Sequence, residues 1–195
     1  MRFTFILTIF LLMGCSRIPD VQVSSDASYL KHVNGVLHFH GEPFSGYIIE
    51  NYSSGSLSEL TPFYEGKAHG EKKGYYEDGS LMYSRAYTLG KKEGTHKGFF
   101  PDGQPRFEYK FEAGENIGTH YDWYEGGQLA KLTNYKDGKP FGVQKMWRSD
   151  GKIRSNYVIR EDGRRYGLVG IKRCKNINTE AQGIQPLTAA VYNEK

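Results

Sequence analysis

The sequence predicts an all-β chain, an elongated single-layer antiparallel sheet of about five tandem β-hairpins. Three observations predict it. First, glycines recur in three series that stay in phase. Gly41, Gly66, Gly90, Gly114, Gly138 and Gly163 are spaced 25, 24, 24, 24 and 25 residues apart. Gly46, Gly70, Gly94, Gly118, Gly142 and Gly167 follow four or five residues behind, and Gly55, Gly79, Gly103, Gly127 and Gly151 lie nine residues after the second series. Second, the third series sits in turn dipeptides: Ser54-Gly55, Asp78-Gly79, Asp102-Gly103, Gly126-Gly127 and Asp150-Gly151. Asp-Gly between alternating runs reads as a two-residue type I′ hairpin corner, which needs positive φ at both positions. Third, the runs after the corners alternate. Pro105, Phe107, Tyr109 and Phe111 point one way, and Arg106, Glu108 and Lys110 the other.

Composition agrees. The 195 residues include 24 glycines, 15 tyrosines and 11 phenylalanines. Glycine weakens a helix by roughly 1 kcal/mol per residue, which argues against a helix bundle. Two cysteines exclude a disulfide scaffold. A net charge of +4, with Lys and Arg spread through the repeats, does not imply nucleic acid.

The elements follow in order. Met1-Arg2 and an apolar run from Phe3 to Met13 form a secretory leader, too short to span a bilayer of ~30 Å as a helix. Its end, Leu12-Met13-Gly14-Cys15, resembles a bacterial lipobox. Leu12 and Gly14 match that pattern, and Met13 stands where Ala, Ser or Thr is commoner. The resemblance implies cleavage before Cys15, lipid attachment at Cys15 and, with Ser16 following, sorting to the outer membrane of a diderm bacterium facing the periplasm. An ordinary signal peptide with a chance cysteine is the alternative. Residues 1–14 are thus read as a lipoprotein signal peptide and 15–28, rich in Ser with Pro19 and Asp20, as a polar tether. Residues 29–174 are the hairpin array. Residues 175–195 are a polar tail whose apolar stretch Leu187 to Tyr192 caps the last edge strand or stays disordered. Lipidation of Cys15 leaves Cys174 without a disulfide partner.

The phase and residues resemble the MORN-repeat family in its short bacterial variant. Gly94 to Gly114 carries the likeness: Gly, then Phe99 and Phe100, then Asp102-Gly103, then Phe111 before the next Gly. The likeness covers about residues 39 to 167 and departs at Asn51 in the first repeat, and at Met146-Trp147-Arg148 with an extra residue near Glu161 in the fifth. Those end repeats are where capping variation is expected.

A two-residue corner at Asp102-Gly103 would pair Pro101 with Gln104, Phe100 with Pro105 and Phe99 with Arg106. The same register sets Tyr52 opposite Leu57, Tyr76 opposite Leu81 and Tyr124 opposite Leu129, a packing side that also holds Gly74 and Gly98. The other side carries Tyr75, Phe99, Trp123 and Trp147, across from Met82, Arg106, Ala130 and Arg154. Two residues earlier come Lys73, Lys97, Tyr121 and Lys145. Successive hairpins lie about 10 Å apart, so this aromatic-and-basic stripe runs roughly 30 Å. The candidate partner-binding residues are therefore Lys73, Tyr75, Lys97, Phe99, Arg106, Tyr121, Trp123, Lys145, Trp147 and Arg154. The alternative is that this row only packs against its own neighbours.

Catalytic chemistry is not apparent. Asp78, Asp102 and Asp150 are turn formers ~10 Å apart, unable to share a calcium ion. His96 and His120 are equivalent positions separated in the same way. His38 and His40 would place two imidazoles on one strand face without an evident third ligand. No enzyme activity, cofactor or metal is expected. The repeat variant is similar to the antitoxin-type family often called YwqK-like, which implies an immunity or antitoxin role. The expected partner is a protein, an acidic toxin in that reading, with the membrane reached through the lipid at Cys15. Binding of an anionic membrane surface or of a cell-wall glycan, through rings that stack on sugars, are the competing expectations.

Overall fold

The computed structural model describes residues 18–170. Cys15, the leader, Cys174 and the tail from 175 lie outside the described residues.

The strands run in chain order as β1 (Gln22–Ser24), β2 (Leu30–Val33), β3 (Val36–Phe39), β4 (Glu42–Pro43), β5 (Gly46–Asn51), β6 (Leu57–Tyr64), β7 (Lys67–Ala68) and β8 (Gly70–Tyr75). They continue as β9 (Leu81–Thr88), β10 (Lys91–Phe99), β11 (Pro105–Glu112), β12 (Glu115–Trp123), β13 (Leu129–Lys136), β14 (Lys139–Trp147), β15 (Ile153–Ile159) and β16 (Arg165–Leu168). Thirteen of them form one sheet in the order β1-β5-β6-β8-β9-β10-β11-β12-β13-β14-β15-β16, with β7 also paired to β6. From β5 on, every pairing is antiparallel between consecutive hairpins, the predicted all-β array.

Each glycine series has its own backbone task. In the corner after β10, Gly103 has φ +81° and Asp102 is not left-handed. The N–H of Gly103 donates to the Phe100 carbonyl and the N–H of Phe100 donates to the Gln104 carbonyl, at 2.9 and 2.8 Å. This is a type I turn closed by a left-handed glycine, a three-residue loop. The Asp102 carboxylate accepts the Gln104 N–H at 2.9 Å, the role expected of a turn-forming Asp. The expected type I′ corners do exist, but in the links. Leu89 and Gly90 have φ of 47° and 83°, with Thr88 directly opposite Lys91. The second series lies within strands, where Gly94 and Gly118 bend the chain at register shifts. The extra residue near Glu161 converts the last link into a three-residue corner, with the Arg160 N–H donating to the Arg164 carbonyl.

The longer loop shifts pairing by one residue beside the corner, and a bulge restores it. Phe99 opposes Pro105, not Arg106, while Gly98 opposes Phe107 as the sequence register required. Likewise Leu57 lies opposite Asn51, Leu81 opposite Tyr75 and Leu129 opposite Trp123, rather than opposite Tyr52, Tyr76 and Tyr124. Gly74 and Gly98 are buried beneath the rings of Tyr83 and Phe107, so their side of the sheet is the packed one.

The N-terminal end departs from a bare hairpin array. Within the segment read as a tether, β1 pairs in parallel with β5, Gln22 opposite Tyr47. Strands β2, β3 and β4 form a separate three-stranded sheet. Leu37, Phe44 and Ile48 form a buried cluster there, flanked by Val23, Leu30, Phe39 and Phe63. This end is a cap that gives the sheet a second layer. His38 and His40 do not share a strand face. β3 ends at Phe39, and His40 enters a left-handed turn with φ 52°, stacked on Tyr29 at 4.2 Å.

Candidate functional site

A single sheet must build its core on one of its own faces. On the packed side the period-24 positions His96, His120 and Gln144 are 3, 5 and 4% exposed. Each uses an N–H to satisfy a backbone carbonyl ten residues earlier: Ala86, Lys110 and Asn134, at 2.7, 2.9 and 2.9 Å. His96 packs between Tyr87 and Phe111, with ring centroids at 5.4 and 4.5 Å. His120 contacts Tyr109 and Tyr135 at 4.9 and 4.4 Å. These imidazoles are structural polar posts in an aromatic layer, which explains their recurrence without a metal.

Burial holds both imidazoles below the ordinary 6.5, outweighing the carbonyl contact that each makes and, at His120, the nearby Asp122 carboxylate. The unfolded chain therefore takes up protons below pH 6.5 that the folded chain refuses. Stability is full above that pH and falls as pH drops from 6.5 toward the folded-state values. Thermal melts at pH 7.5 and 5.5 are expected to show this loss. The double variant His96→Gln with His120→Gln keeps a donor of the Gln144 type and is expected to lose clearly less. An equal loss in both proteins would refute the assignment.

Tyrosines tie successive hairpins together. The hydroxyls of Tyr52, Tyr76 and Tyr124 donate to the carbonyls of Tyr75, Phe99 and Trp147, 23 residues on, at 2.8, 2.8 and 2.9 Å. Phe100 occupies the same position in the third repeat and has no hydroxyl. The seam between Phe100 and Trp123 therefore lacks this clasp.

The opposite side carries the predicted row. By strand alternation Tyr75, Phe99, Trp123 and Trp147 point away from the packed face, and all four are half-buried. Tyr121 stacks on Trp123 at 5.6 Å and 25°. The basic members are unequal. Lys73 pairs with Glu71 at 3.1 Å, and Lys97 lies 4.0 Å from Glu108. Lys145, opposite Leu132 and Asn156, makes no ion pair among the described residues. Met82, Arg106, Ala130 and Arg154 are not paired opposite the aromatic row, because each is the extra residue of a corner bulge. Across from the row lie Leu81, Pro105, Leu129 and Ile153. Arg154 is exposed at its bulge.

Arg106 belongs instead to a cleft of about 450 Å³ on the packed side, which position-by-position reading of the sequence missed. Tyr87, Phe107, Tyr109 and Phe111 form its floor, with Arg85, Lys92 and Arg106 around them. Phe107 and Tyr109 stack at 4.8 Å and 22°. Arg85 lies 4.2 Å over the Tyr83 ring and Lys92 4.8 Å over Phe111. Asp122 is the one carboxylate lining the cleft, and Tyr109 donates its hydroxyl to it. Burial, reinforced by that contact, pushes the Tyr109 phenol well above its ordinary range.

This period of hairpins, corners and aromatic posts is that of a known repeat. Residues 68–87, 92–113 and 117–137 match the MORN repeat variant family. The three matches fall on consecutive hairpins and enclose the cleft. No curated protein matches the chain. MORN repeats are non-catalytic modules that bind proteins or membranes. Among the described residues no group of three His, Cys, Asp or Glu side chains is placed to hold a metal ion.

Proposed function

We propose that the chain is a non-enzymatic envelope lipoprotein whose MORN-type array binds and covers a partner protein, as an immunity or antitoxin protein does. Cys15 carries the lipid in this reading and holds the array at the outer membrane, facing the periplasm. The observation that carries it is the half-exposed row Tyr75, Phe99, Trp123 and Trp147 along one side of a continuous sheet. Large rigid rings beside cations are what protein interfaces use as anchors. Lys73 and Lys97 are already paired, so among the described residues the unpaired lysine of the row is Lys145. The Lys145 end of the stripe is the one suited to an acidic partner.

Capture of partners from an envelope extract, followed by binding of the purified partner, tests this reading. Alanine at both Trp123 and Trp147 is expected to weaken binding by at least about tenfold with the β signal intact. Unchanged binding removes the aromatic row from the interface. Flotation of the chain with anionic but not neutral vesicles would instead support the membrane reading that MORN repeats also allow.

A further inference from the structure

The cleft at Arg85, Arg106 and Phe107 is separate from the proposed protein-binding row and shares only Trp123 with it. Three features set it apart from the equivalent places in the other repeats. Two of its three cations are local: Thr61, Tyr109, Thr133 and Tyr157 match Arg85, and Ala68, Asn116 and Pro140 match Lys92, while Arg106 recurs as Arg154. Arg85, Lys92 and Arg106 make no ion pair among the described residues, whereas Lys72 on the same side is paired with Glu59. The seam at Phe100 and Trp123 is the one where phenylalanine replaces the clasping tyrosine. Departures from a repeat's own rules concentrate where a site is built.

The lining states what would fit. Guanidinium groups bind carboxylate or phosphate through paired N–H donors. Phe107 and Tyr109 stack on each other, with His120 stacked on Tyr109 as well, so they give the cleft an apolar wall against which the C–H groups of a small ligand can pack. Asp122 spends one oxygen on the Tyr109 hydroxyl, and its other oxygen can accept from a ligand hydroxyl. A volume near 450 Å³ is that of a small-molecule site rather than a protein interface. We propose that this cleft binds a hydroxylated ring bearing one anionic group, a sugar acid or a sugar phosphate.

Calorimetric titration of the full chain in detergent with glucuronate, glucose 6-phosphate and glucose tests the proposal. One or both anions are expected to bind with a dissociation constant of about 1 mM or tighter, and the tighter of the two assigns the anionic group. Glucose is expected to bind at least about tenfold more weakly. Arg85→Gln with Arg106→Gln is expected to weaken the anion by at least about tenfold, and Lys145→Gln to leave it unchanged. If the double variant does not fold, Arg106→Gln alone serves, since that residue is exposed at a bulge without a cross-strand partner. The proposal is overturned if neither anion binds at about 10 mM, if glucose or a short poly-glutamate peptide binds as tightly, or if the folded Arg variant binds like the parent.

Discussion

Gly98→Ala is expected to destabilise the chain by about 2–3 kcal/mol, although it adds one methyl group. The backbone at Gly98 is not left-handed, so alanine meets no conformational penalty there. The cost is steric. A Cβ at Gly98 would lie 2.1 Å from Cε1 of Phe107 and 2.5 Å from its Cδ1. The ring cannot swing clear without losing its stack on Tyr109 at 4.8 Å. Gly103→Ala is the contrasting control. Nothing lies within 4 Å of its Cβ, and only the φ of +81° opposes the substitution, at a cost of about 1–2 kcal/mol. Urea melts separate the two causes. Phe107→Leu added to Gly98→Ala is expected to recover part of the loss, and added to Gly103→Ala none of it. An unchanged midpoint for Gly98→Ala would mean that the ring does not seal the glycine.

The period of the hairpins and the strand-body register were legible because glycine timing and ring alternation are local signals. Gly98 opposite Phe107 follows from them directly. The corner chemistry was not legible. An Asp-Gly dipeptide fits both a two-residue type I′ turn and the last two residues of a three-residue loop, and both return the chain to one body register. The true type I′ turns place Leu89, Ala113 and Glu65 at positive φ, which residue type does not announce. That single ambiguity moved Arg106 out of the predicted stripe and into the cleft. Strand β1 was hidden differently: its pairing with β5 uses backbone groups, so polar residues there resemble a tether. The His96, His120 and Gln144 posts were half visible, since their spacing was plain and their carbonyl targets were not. The tyrosine clasps were hidden for the same reason.

Phe111→Ala is expected to cost about 3 kcal/mol and to lower the melting temperature by about 6–12 °C. Phe111 is 6% exposed in a sheet whose second layer, among the described residues, is confined to the N-terminal end. Its ring touches His96 at 4.5 Å and His120 at 5.5 Å, and Lys92 covers it at 4.8 Å. One side chain thus joins the posts of two successive hairpins. Removing it leaves two buried imidazoles short of packing while their carbonyl contacts remain. The coupling can be measured, because residues in contact do not contribute additively. Phe111→Ala and His120→Gln together are expected to cost less than the sum of the two alone, as Phe111→Ala already removes one of the ring contacts of His120. Strict additivity, or a loss under about 1 kcal/mol for Phe111→Ala, would mean that the backbone ladder rather than the ring layer holds the hairpins in line. The ring layer would then owe its continuity to the cleft it floors, and variants at Phe107 and Tyr109 would change ligand binding while sparing stability.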